Sequence, residues 1–88
     1  MAVWGLDVQQ VRTLSSQLQQ KASDIEGILS QLTTTLNNTQ WTGPDAEAFR
    51  NGWAGEHTAS LKRVVTALTD ASSAASRNAT AQEQTSGN

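Results

Sequence analysis

The chain has 88 residues, a net charge of −2 and no cysteine, so it holds one domain at most and has no disulfide, thiolate chemistry or Cys-based metal site. Its six lysines and arginines are scattered, with Lys62–Arg63 the only adjacent pair. That distribution excludes the concentrated basic face nucleic-acid binding needs, and disfavours a basic amphipathic membrane helix. Hydrophobic residues make up 36%, below the ~45–50% of a globular domain, a figure that also counts glycine. Ser, Thr, Gln, Asn and Ala fill the difference, which suits long amphipathic helices with one apolar stripe rather than a domain buried on all sides.

The opening residues, Met1-Ala2-Val3-Trp4-Gly5-Leu6-Asp7, lack the charged n-region and long apolar h-region of a conventional signal peptide. No apolar run approaches the ~18 residues of a membrane span. By these ordinary signals the chain reads as cytoplasmic. Trp4 stands one heptad before Val11, with Gly5 and a helix cap between them, placed either to fold back onto a bundle or to sit exposed.

Helix 1 is expected over about residues 7–37, roughly 45 Å at ~1.5 Å per residue. Asp7 suits the N-cap, Gln10 stands where a capping-box partner would, and Leu6 with Val11 fits a hydrophobic staple. Val11, Leu18, Ile25 and Leu32 recur every seven residues. Leu14 and Ile28 occupy a second seam position, interrupted by Lys21 and Thr35. Val8, Ala22, Leu29 and Leu36 widen the stripe on one side, giving the pattern of a helix packed in a bundle. Thr33-Thr34-Thr35 and Asn37-Asn38 weaken and end the helix.

A turn follows over 38–43, with Trp41-Thr42-Gly43 at its end and Pro44 after it. Gly43 as cap puts Pro44 at the first helical position, and Thr42 as cap puts Asp45 third; either starts a helix here. Helix 2 is expected over about 44–80. Phe49, Trp53, His57, Leu61, Val64, Leu68, Ala71 and Ala75 follow spacings of three or four. Gly52 and Gly55 weaken it locally by ~1 kcal/mol each; flanking Trp53, they either admit a neighbouring helix or are merely tolerated. Residues 81–88 read as a flexible tail. The fold class is all-α: one domain, 1–88, a hairpin of two long antiparallel helices.

No site chemistry emerges. His57 is the only histidine, without the second ligand a zinc site requires. A single histidine on a packed stripe makes a poor base, and no G-x-S-x-G elbow exists. Asp45 and Glu47, two apart, point to different sides of a helix. No catalytic residue, cofactor or metal is expected. The apolar stripe on helix 1 is wider than one neighbouring helix covers, and each Å² left in water forgoes ~25 cal/mol. The remedy is a second hairpin, giving a four-helix bundle, from a second copy or a similar partner. Val11, Leu14, Leu18, Ile25, Ile28, Leu29, Leu32, Leu36, Phe49, Trp53, Leu61, Val64 and Leu68 are the expected core and pairing residues.

The turn is more specific. Trp41-Thr42-Gly43 lies between two helices of similar length and is followed by Asp45-Ala46-Glu47-Ala48-Phe49-Arg50 and Trp53. Over residues 6 to about 80 this resembles the WXG family of small early-secreted-antigen-like proteins. The resemblance implies a hairpin that pairs, with itself or with another W-x-G protein, and that is exported by type VII secretion machinery without a cleaved signal peptide. Such proteins act as effectors, as carriers for co-exported partners or as parts of the apparatus, cytoplasmic before export and secreted or at the cell surface after it. Trp41 and Gly43 then shape the tip and contribute to the surface recognised in export. The family's export signal also uses a C-terminal Y-x-x-x-D/E, and this chain has no tyrosine. Glu83 suits the acidic position, but residue 79 is alanine, so either a partner carries the tyrosine or export proceeds differently; the gap favours a heterodimer. The rival reading is an intracellular structural or adaptor bundle that is not exported.

Overall fold

The structure, a computed structural model, describes residues 6–86. Helix α1 runs Val8–Asn37, α2 runs Pro44–Gly52 and α3 runs Thr58–Ser86. A π-helical turn, Trp53–His57, joins α2 to α3, so the second limb is one rod with a single irregular turn. The two limbs lie side by side as an extended antiparallel hairpin of 66 × 18 × 13 Å, with a radius of gyration of 19.4 Å. A compact chain of this length has a radius near 12 Å. The hairpin is therefore one helix layer thick.

Both helix starts follow from their caps. Asp7 Oδ1 accepts the Gln10 N–H at 3.0 Å, satisfying a donor the first turn of α1 leaves free. At α2 the cap is Gly43, with Pro44 in the first turn and the Gly43 carbonyl accepting Glu47 N–H at 3.0 Å. Gly43 has φ 121° and ψ 173°, a region that L side chains avoid, which is why the W-x-G tripeptide ends in glycine. Asp45 and Glu47 in this first turn face the positive end of the helix dipole.

The limbs meet along α1 and α3 through small residues. Ala22, Ala46 and Ala79 are the fully covered apolar residues among those described, and no large side chain is fully buried. Ser15 and Ser72 cross the seam reciprocally: each hydroxyl donates to the other's carbonyl at 2.8 Å. A hydroxyl reaching the opposite helix's backbone requires closely packed axes, near the short end of the ~8–10 Å range.

The second limb departs from expectation twice. It runs to Ser86, past the expected end near residue 80, because the last turns dock on α1. Gln82 is buried, and Arg12 bonds both Thr80 and Glu83. The other departure is the π turn. Phe49, Trp53, His57 and Leu61 are four apart, and each such step drifts about 40° round a regular α-helix. Three steps accumulate about 120°, too much for one face. One inserted residue turns the helix back by about 100°, bringing Trp53 to the seam while Leu61 and Leu68 also stay there. His57 is thereby displaced from the stripe and lies exposed. Its ring sits over Gly52, where an added Cβ would come within 3.2 Å of Nε2. Gly52 thus admits an imidazole from its own limb rather than a neighbouring helix, and Gly55 faces open space.

Candidate functional site

The broad stripe of α1 divides in two. Val11, Leu18, Ile25, Leu29 and Leu36 are half-buried against the second limb, where Leu61, Leu68 and Trp53 are half-buried in turn. Leu14, Ile28 and Leu32 remain about half exposed, as do Phe49 and Val64. The side of the stripe with Val8, Ala22, Leu29 and Leu36 thus closes the hairpin, and the Leu14–Ile28 side is left outside it. Lys21, in the same row, has its side chain 70% exposed.

These exposed residues share one broad face. Leu32, Thr35 and Phe49 line a single cleft of about 210 Å³. Ile28 stands one turn before Leu32, and Leu14 eighteen residues before it, five full turns. The opposite face is mixed: Glu26 and Lys62 line it midway beside Leu29 and Val65, and Asn37, Arg50 and Asn51 line it near the tip beside Leu36 and Trp53. Val64 lies about 200° round α3 from Lys62 and from Thr66, and so belongs with Ile28 and Phe49.

At the tip, the Trp41 ring packs on Phe49 at 5.8 Å and 51°, and Phe49 lies nearly parallel to Trp53 at 6.4 Å and 7°. Trp53 Nε1 donates to Thr33 Oγ1 at 2.8 Å, which pins the series to α1. The Thr58 hydroxyl donates to the Trp53 carbonyl inside the π turn. Trp41 is 40% exposed, so it packs on Phe49 and presents indole surface at once. Arg50 donates to the Trp41 carbonyl at 2.6 Å and the Thr39 carbonyl at 2.9 Å. The sequence marked Trp41, Gly43, Phe49 and Trp53 but not Arg50 or Thr33, whose partners lie across the turn; a lone arginine three residues before the first residue of a π turn carries no local signal. Trp4 lies outside the described residues.

Glu83 is the acidic residue near the C-terminal end of α3, and it pairs with Arg12; Ala79, four before it, is fully buried. Ala79 thus faces inward, and Glu83, about half exposed, is engaged by Arg12. Among the described residues no three His, Cys, Asp or Glu side chains cluster as metal ligands, and no helix is long and apolar enough to cross a membrane. The family model described as "WXG100: Proteins of 100 residues with WXG" matches residues 6–86. No curated protein and no solved structure matches the chain.

Proposed function

Because the chain belongs to the WXG100 family, a family of non-enzymatic helical proteins secreted by type VII systems, we propose that it is exported as an effector or as a carrier, by pairing its apolar face with another W-x-G hairpin. The observation that carries this reading is the row Leu14, Ile28, Leu32, Phe49 and Val64, each 45–52% exposed on an otherwise ordered hairpin. The chain exposes 6425 Å², where a compact monomer of 9.4 kDa exposes about 5,000 Å². A face of 66 × 18 Å is about 1,200 Å² in projection, more than the ~800 Å² per partner of a stable protein complex. A partner of the same slab shape covers it and yields a four-helix bundle.

The tip has a different task in this reading. Its exposed Trp41 indole and the turn set by Gly43 form a rigid end that the secretion apparatus recognises, while the slab face supplies affinity for the partner. Pairing is tested by light scattering on the full chain, alone and mixed with another W-x-G protein of the same genome. Ile28→Asp with Leu32→Asp should abolish the paired species and leave helix content intact, because both side chains point away from the hairpin's own seam. A wild-type chain that stays at 9.4 kDa in every mixture overturns the pairing.

A further inference from the structure

We infer that Arg50 is the positioning residue of the W-x-G tip, holding Trp41 in the orientation in which the tip is recognised. The last turn of α1, the negative end of its helix dipole, carries no basic residue. Arg50 brings a cation from the other limb to the loop that follows α1. Its guanidinium spans two loop carbonyls, Thr39 at 2.9 Å and Trp41 at 2.6 Å, one on each side of Gln40. A planar fork fixed at two points sets the orientation of both peptides, which a lysine ammonium on a flexible stem does not do. Phe49, the preceding residue, meanwhile meets the Trp41 ring at 5.8 Å. Consecutive residues of α2 thus hold the backbone and the ring of Trp41, whereas Gly43 only gives the chain its turn. The exposed indole is presented by a braced loop.

The inference rests on the proposed recognition of the tip, and the test separates the two. Arg50→Gln, Arg50→Lys and Trp41→Ala are made in the full chain. Each is read for export into the medium, for paired mass, for helix content and for the indole N–H signals of Trp41 and Trp53 in a heteronuclear NMR spectrum. Arg50→Gln should lower export about tenfold, as expected when a charge-assisted hydrogen bond is lost from a recognition step. It should shift or broaden the Trp41 indole signal, and leave the Trp53 signal, paired mass and helix content unchanged. Arg50→Lys, which keeps charge and stem, should fall between. Normal export of Arg50→Gln beside defective Trp41→Ala overturns the inference, and so does an unmoved Trp41 indole. Normal export of Trp41→Ala instead overturns the recognition reading itself.

Discussion

At the open end of the hairpin serine and alanine join half-buried Val11 and Leu18 in the seam, with Ser15 against Ser72 and with Ala22 and Ala79 buried; toward the tip, Leu29, Leu36 and Trp53 fill the seam and aromatic rings follow one another to the turn. At the open end small residues permit close backbone approach and reciprocal hydroxyls fix one register. The tip half works the other way, with large side chains that stay half exposed. Hydrophobic adhesion is non-directional, so it is bound to a geometry by directed bonds: Trp53 to Thr33, and Arg50 to the loop. The exposed row is weighted the same way, with Ile28, Leu32, Phe49 and Trp41 in the tip half and Leu14 nearest the open end.

If that division is real, substitutions at the two ends should differ in size and in kind. The largest effect belongs to Trp53→Ala, which removes the parallel contact with Phe49, the bond to Thr33 and a large part of the tip seam. A loss of about 3 kcal/mol is expected, read as a lower denaturant midpoint for the full chain. A loss below about 1 kcal/mol would mean that the tip half is not held by its aromatic series. Ser72→Ala at the open end should cost about 1 kcal/mol. Its signature is coupling rather than size: because the Ser15 and Ser72 hydroxyls also lie 3.1 Å from each other, the two alanine variants should be non-additive in a double-mutant cycle by about 0.5 kcal/mol or more. Additive effects would show that the serines act as small spacers and not as a pair.

How far the sequence speaks for each region follows from whether the signal is local. Asp7 and Gln10 are three residues apart, and Gly43-Pro44 are adjacent, so the cap of α1 and the start of α2 were legible; the choice between Thr42 and Gly43 as cap was not, since both suit the position. The apolar stripe of α1 was legible as a stripe. Its division into Leu29 and Leu36 inside, Ile28 and Leu32 outside, depends on where the second limb sits and no periodicity within α1 contains that. The π turn left a trace, the run of four-residue spacings from Phe49 to Leu61, but the run can be read as one stripe unless its drift is summed. Ser15 with Ser72 and Arg12 with Glu83 were illegible for a plainer reason: their separations of 57 and 71 residues connect residues that nothing local relates.

The smallest effect tests the open end at its outermost point. Arg12 bonds Thr80 at 3.3 Å and pairs with Glu83, but the paired side chains are 36% and 49% exposed. Water and salt screen such a pair, and its two long side chains lose rotamer freedom in holding it, so Arg12→Ala should change global stability by no more than about 0.5 kcal/mol. The consequence should be local. Beyond Gln82, α3 has no large apolar residue to hold it down, and the Arg12 contacts help the buried Gln82 tie Thr80–Glu83 to α1. Amide exchange between Thr80 and Thr85 should therefore accelerate in Arg12→Ala while exchange around Leu61 and Leu68 stays unchanged. High salt should produce part of the same acceleration in the wild-type chain, because screening weakens the ion pair and leaves the serine pair nearly untouched. Acceleration spread evenly along α3 would mean that the two ends open together, and the contrast between them would then be one of composition only.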